Sequence, residues 1–253
     1  ICGAVAAVLI NNPDLSPFVV IAISLGVGLL CGLWNGMLVA VFDIQPFIAT
    51  LILMVVGRGI AQLITQGQIA IFNNVTLEFV GKGVIAGFPF PILLSALVLL
   101  VIYLLIRRTA LGLLIESVGS NDRASYYAGI DARAIKLLVY MISGLCAAIA
   151  GLIITADIKG ADANNAGLWL ELDAVLAVVI GGTLLTGGRF YLGLSVIGAL
   201  IIQSIQTGIF VSGLPPTFNL IVQAVVILII LLLQSEEFRR PFARLFQRLR
   251  KPS

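Results

Sequence analysis

The chain has 253 residues, of which 60% are hydrophobic and only 11% charged, whereas soluble domains carry about 25% charged residues. That balance excludes a soluble globular domain. The net charge of +3 does not mark a nucleic-acid binder, because the basic residues gather at two places that flank apolar runs, where membrane orientation accounts for them. Runs such as 92–106 and 220–233 are too continuous for alternating barrel strands. A helix crosses the hydrocarbon layer with about 20 mostly apolar residues, so the predicted fold class is all-α, a polytopic transmembrane helical bundle.

Residues 1–10 read as the end of a span, followed by a turn at Asn11-Asn12-Pro13-Asp14. The chain opens at Ile1, partway through an apolar run, which reads as the later part of a longer protein. The next span covers 17–42, where Gly28, Gly32 and Gly36 recur every four residues as a strip that admits a close neighbour helix. Asn35 beside this strip must face the protein interior. A turn at Asp43-Ile44-Gln45-Pro46 leads into 46–67, which places Arg58 between Gly57 and Gly59. An ionisable residue at membrane depth is a functional candidate; the alternative is that the glycines loosen the helix and Arg58 binds the freed carbonyls.

Residues 66–87 form a polar connection, 89–106 a further span, and 107–136 the longest polar interruption. Arg107, Arg108, Arg123, Arg133 and Lys136 assign that interruption to the cytoplasmic side. Within it Ser120, Asn121 and Asp122 offer N-cap side chains, residues 123–128 can make nearly two helical turns, and Gly129 is placed to end them. Two readings stand: a docking element for a soluble partner, or a solvated loop. A span at 137–156 presents Gly144, Ala147, Ala148 and Gly151 on one face, and 157–173 reads as an external acidic loop. Residues 174–186 read as a short or broken helix, 192–211 and 219–233 as spans, and 235–253 as a basic cytoplasmic tail. Four crossings are needed to put both basic clusters on one side, and four apolar segments are available.

No intramembrane enzyme is legible. Histidine is absent, which removes the imidazole ligand and the Ser-His pair; Gly193-Leu194-Ser195-Val196-Ile197-Gly198 misses the spacing of a nucleophile elbow. Cys2, Cys31 and Cys146 lie apart in apolar segments and read as packing residues, with no metal site. Gly181-Gly182-Thr183 and Gly187-Gly188-Arg189 lack the ending of a phosphate-binding loop, so any nucleotide must be bound by another chain. The remaining polar groups at membrane depth, Asn35, Gln45, Thr50, Arg58, Gln62, Gln203 and Gln206, suit a hydroxyl-rich solute. They equally suit interhelical hydrogen bonds of about 0.6–2 kcal/mol each.

Several motifs occur in order: Gln45-Pro46-Phe47-Ile48-Ala49-Thr50-Leu51, Arg58-Gly59, Gly119 with Asn121, Ala124 and Gly129-Ile130, Glu171-Leu172-Asp173-Ala174, Val178-Val179-Ile180-Gly181-Gly182-Thr183, and Gly187-Gly188. Together they resemble the permease subunits of ribose-type bacterial sugar ABC importers, over nearly the whole chain. The run from Ala156-Asp157-Ile158-Lys159-Gly160 to Asn164-Asn165-Ala166-Gly167-Leu168-Trp169 is most similar to the galactofuranose branch found in enterobacteria. The resemblance implies a single transmembrane permease domain over 1–253, with about ten membrane-crossing helices when complete and two of them before Ile1. It implies that 107–136 is a coupling loop whose helix is Asn121, Asp122, Arg123, Ala124, Ser125, Tyr126, Tyr127, Ala128, Gly129 and Ile130. It also implies a second permease subunit, identical or different, a cytoplasmic subunit that binds ATP and Mg, a periplasmic sugar-binding protein, and a bacterial inner membrane as the setting. Asp122-Arg123-Ala124-Ser125 stands where the family commonly has two acidic residues and two alanines, and Tyr126-Tyr127 is unusual. The translocation-path candidates are Asn35, Gln45, Phe47, Thr50, Arg58, Gln62 and Asp173. The rival reading is an ATPase-independent channel or ion-coupled carrier in which Arg58 and Asp173 form a charge pair; a third keeps the ABC architecture with another solute, since branched-chain amino acid permeases share a distant version of the pattern.

Overall fold

The computed structural model describes residues 1–85, 87–183, 187–213, 221, 222, 224 and 225. Leu184, Leu185 and Thr186, the tail 235–253 and, apart from four positions, the span expected at 219–233 lie outside the described residues. Among the described residues the protein is an all-α membrane bundle. Five helices are long and apolar enough to cross a membrane, and the chain divides into two compact units, Ile1–Leu168 and Trp169–Ser253.

The first unit begins with α1 (Cys2–Leu9) and α2 (Pro17–Ala40). Ser16 starts α2 by accepting the Val19 N–H, and Pro17 at its first position has no N–H to leave unpaired. A short turn leads to α3 (Pro46–Ile64), then strand β1 (Ala70–Ile71) and α4 (Val75–Lys82), which Asn74 caps through the N–H groups of Thr76 and Leu77. A small hairpin of β2 (Val84–Ile85) and β3 (Phe88–Pro89) precedes α5 (Phe90–Arg108). Then come α6 (Leu111–Ser120), α7 (Asp122–Tyr127), α8 (Ala132–Ile158) and β4 (Gly160–Ala161), which pairs antiparallel with β1.

The glycine strip sets the packing of this unit. A side chain at Gly28 would meet Ala148 and, at 2.8 Å, the Gly144 carbonyl oxygen; one at Gly36 would lie 3.1 Å from the Leu137 Cα. As the number rises along α2 it falls along α8, so the helices are antiparallel and touch backbone to backbone. On α8 the expected small face is used twice: Gly144 faces α2, and Gly151 lies 3.9 Å from Gly3 of α1 by the same measure. With 27 residues, α8 spans about 40 Å and outreaches the roughly 30 Å hydrocarbon layer. At its last turns Gly81 seats α4 against Ala156 and Asp157. A buried cluster of Ala4, Ala6, Val20, Leu77, Leu152 and Ala156 fills the space between α1, α2, α4 and α8.

Three stretches are more ordered than their composition suggests. The interruption 107–136 is mostly helical, because α5 runs through Arg108, α6 fills 111–120 and α8 starts at Ala132. The connection 66–87 holds α4 and strand pieces. The stretch 157–173 is shortened from both ends, as α8 continues to Ile158 and the next helix starts at Leu170. Polarity marks where helices leave the hydrocarbon, whereas caps mark where they stop.

The second unit contains α9 (Leu170–Ile180) and α10 (Leu192–Val211). Glu171 and Asp173 fall in the first turn of α9, where negative charge complements the helix dipole. Gly198 of α10 accepts the backbone of Ala177, whose Cα would lie 3.1 Å from an added Cβ. Leu176, Ala177 and Ile202 are buried between the two helices.

Candidate functional site

A helix of six residues has no stability of its own in water, so α7 must be held by its ends. Asn121 accepts the Ala124 N–H through Oδ1 at 3.0 Å, and Ser125, which is buried, donates to the Asn121 carbonyl at 2.9 Å. At the other end Gly129 has φ +83; its N–H donates to the Tyr126 carbonyl at 3.0 Å, and the Ile130 N–H to the Ser125 carbonyl at 3.0 Å. That pair of bonds is a Schellman motif, which needs a left-handed residue. Asp131 then caps α8 by accepting the N–H groups of Arg133 and Ala134 at 3.1 and 3.3 Å. Lys136 of α8 pairs with Asp122 of α7. Only residues 128–131 separate the two helices, so α7 is fixed to the foot of α8.

This arrangement turns the aromatic residues of α7 outward. Tyr126 is 73% exposed and Tyr127 88%, with ring centroids 6.0 Å apart in an edge-on arrangement. Arg123, Asp122 and Ala124 are also exposed. Exposed tyrosines are among the side chains enriched at protein interfaces.

The path candidates fall in several places. Gln45, Phe47 and Thr50 occupy the start of α3, and all three are exposed. The Thr50 hydroxyl donates back to the carbonyls of Pro46 and Phe47 at 3.0 and 3.1 Å. Gln62 lies at the far end of the same helix, about 26 Å from Gln45 at 1.5 Å per residue. There its Nε2 donates to Asn164 Oδ1 at 2.6 Å. Helix α3 runs unbroken through Gly57-Arg58-Gly59, so the glycines free no carbonyls for Arg58. Gly57 instead packs against Ile1, whose Cδ1 would lie 3.0 Å from an added Cβ. Arg58 is half-buried. Asn35 is 8% exposed, five residues before the end of α2. In the second unit Asp173 accepts a hydrogen bond from Gln206 Nε2 at 2.8 Å.

Asn164 escaped the sequence reading because its role depends on a fold of the chain 102 residues away. Its local signal is the turn that Asp162 organises, accepting the N–H of Asn164 at 2.9 Å and that of Asn165 at 3.2 Å. The Asn165 side chain also donates to Asp162, at 2.8 Å. These bonds, that from the Asn165 side chain first, hold the Asp162 carboxyl below the ordinary carboxylate range. The same end of the unit carries the Lys159–Glu78 ion pair at 2.6 Å.

The family described as the branched-chain amino acid transport system permease component matches residues 1–231. The chain belongs to that permease family. Among curated members, the galactofuranose transporter permease protein YtfT of Escherichia coli is 57% identical over 238 residues, covering 94% of this chain and 70% of the relative. The fructose import permease protein FruF of Bifidobacterium longum is 41% identical, with 93% of this chain and 67% of the relative covered. The ribose import permease protein RbsC of Escherichia coli is 35% identical over 93% of this chain and 74% of the relative. No solved structure matches. Membership agrees with the five helices long and apolar enough to cross a membrane among the described residues.

Proposed function

We propose that this permease is the membrane subunit of an ATP-binding cassette importer that carries a monosaccharide, galactofuranose or a sugar close to it, inward across a bacterial inner membrane. The observation that carries the reading is the 57% identity to a galactofuranose permease over 94% of the chain. The family description names branched-chain amino acids, but the relatives at 57%, 41% and 35% identity are named for sugars. The polar candidates are chiefly amides and hydroxyls, which suits a solute that must exchange water for other hydrogen bonds.

In this reading residues 1–253 act as one permease domain paired with a second permease, identical or different. The segment 107–136 and the tail 235–253 face the cytoplasm. ATP and Mg bind to a separate ATPase subunit, so hydrolysis is not carried out by this chain. Residues 121–130 dock into that ATPase, with Tyr126 and Tyr127 as anchors, and its closure moves α7. Because α7 is capped at both ends and tied to Lys136, the motion passes to α8, which reaches the opposite end of the unit. A periplasmic sugar-binding protein meets that end, where Glu78, Lys159, Gln62 and Asn164 lie. The candidates Asn35, Gln45, Phe47, Thr50, Arg58, Gln62 and Asp173 serve the path, and Asn164 joins them through Gln62.

The test is sugar-stimulated ATP hydrolysis by the reconstituted importer. Gly129→Pro combined with Tyr126→Ala and Tyr127→Ala should abolish the stimulation while leaving the permease in the membrane. Unchanged stimulation would remove the coupling role from α7.

A further inference from the structure

Helix α3 has three unlike sides. Ile52, Val56, Ile60 and Leu63 recur at helical spacing and are all exposed, a stripe suited to lipid. Gly57 and Ala61 are buried, with Gly57 packed on Ile1. Arg58 and Gln62, four residues apart, share the third side, about 135° round the helix from the centre of the apolar stripe at 3.6 residues per turn. Arg58 is half-buried and makes no hydrogen bond or ion pair among the described residues. It stands about 9 Å before the last residue of α3, where hydrocarbon offers a guanidinium no acceptor. One turn further on, Gln62 Nε2 donates to Asn164 Oδ1 at 2.6 Å, a bond that uses neither the Gln62 carbonyl nor the Asn164 amino group. Asp162 fixes Asn164 by accepting its N–H at 2.9 Å. Toward the start of α3 the same side continues as Leu51 and Met54, so its polar part is confined to the end opposite α7.

We propose that this third side of α3 lines a water-filled solute path, and that Arg58, Gln62 and Asn164 form a subsite in it for two neighbouring hydroxyls of a sugar. This rests on the importer reading and adds which side of α3 the solute meets and what the solute must carry. A permanently charged side chain at membrane depth with no counter-ion belongs beside water or a polar solute, and here it stands away from the apolar stripe. The guanidinium has donors and no acceptor, so it takes a lone pair of one hydroxyl, which in turn donates to the Gln62 carbonyl. The neighbouring hydroxyl takes the place of Gln62 on Asn164. The Gln62–Asn164 bond satisfies both amides in the absence of sugar and is exchanged for sugar contacts as the solute passes. Because one set of hydrogen bonds replaces another, the net gain is small, which lets the solute leave as well as enter. A deoxy sugar leaves one of these groups unpaired and is carried more slowly.

The experiment uses the whole importer in liposomes, in a permease carrying Cys2→Ala, Cys31→Ala and Cys146→Ala, and has two readouts. The first is the reaction of Arg58→Cys with a charged methanethiosulfonate, against Val56→Cys and Ile60→Cys, which bracket it in depth. Arg58→Cys should react at least about tenfold faster, since a thiol in hydrocarbon neither ionises nor meets the reagent. Equal rates, or an unreactive Arg58→Cys because the arginine reaches to headgroups or a second permease covers this side, would overturn the path assignment. The second is ATP-driven uptake of labelled galactose, fructose and ribose, and of monodeoxy analogues of whichever is carried best. Arg58→Gln should slow the parent sugar about tenfold and erase its advantage over the deoxy analogues, and Arg58→Lys should recover part of both. An Arg58→Gln permease that melts as the parent does and still prefers the parent sugar to the same degree would overturn the subsite while leaving the importer reading intact. No ATP-driven uptake of any of the three sugars by the unsubstituted importer would overturn the importer reading and the subsite together.

Discussion

A methyl group at Gly32 would land on the Tyr140 carbonyl oxygen and 2.9 Å from the Met141 Cα, and neither backbone can retreat without moving a whole helix. Overpacking of this kind typically costs about 1–3 kcal/mol. Gly32→Ala should therefore lower the melting temperature of the purified permease, whereas Gly26→Ala, in the same helix but facing open space, should not. Equal effects in thermal melts would mean that α2 and α8 do not meet as described. Asn121 gives a second contrast. Asn121→Ala removes the cap of α7, a loss of about 1 kcal/mol, and should weaken the stimulation of ATP hydrolysis by sugar; Asn121→Asp keeps an acceptor and should retain it. Asn121 and Gly129 were legible in the sequence because caps act within a few residues. Asn164 was not, since it acquires its meaning from Gln62 of α3, 102 residues away in the chain.

At the scale of elements, hydropathy located α2, α3, α5, α8 and α10 and matched both ends of α10, but it missed both ends of α8. Helix α8 begins at Ala132 because Asp131 caps it, and stops after Ile158 where Lys159 adopts a left-handed φ of +55. Neither event changes the apolar count. The pairing of β1 with β4 was illegible for another reason: two-residue strands carry no periodicity to read. Packing, more than charge, holds α4 to α8. The Lys159–Glu78 pair is part-exposed and should contribute less than about 1 kcal/mol, while Gly81 would bring any side chain within 2.9 Å of the Ala156 Cβ. Gly81→Val should open 66–87 to limited proteolysis, and Lys159→Met should leave it nearly as resistant as the parent. The reverse order would assign the attachment to the ion pair.

On the scale of the whole molecule, Asp122–Lys136 and the capped α7 lie at one end of the first unit and Lys159–Glu78 with Gln62–Asn164 at the other. The antiparallel α2 and α8 join the two ends. An element about 40 Å long that carries a capped short helix at its foot is suited to passing a displacement across a membrane, which is what the proposed ATP-driven importer needs. The membrane class and family were legible because composition and ordered motifs do not depend on tertiary contacts. The most direct measurement is purification of the intact permease from its native host, with mass spectrometry of what accompanies it and uptake assays in liposomes. The account expects a stoichiometric ATP-binding subunit and sugar uptake only with ATP. Recovery of the permease alone, still moving sugar into ATP-free liposomes, would contradict it.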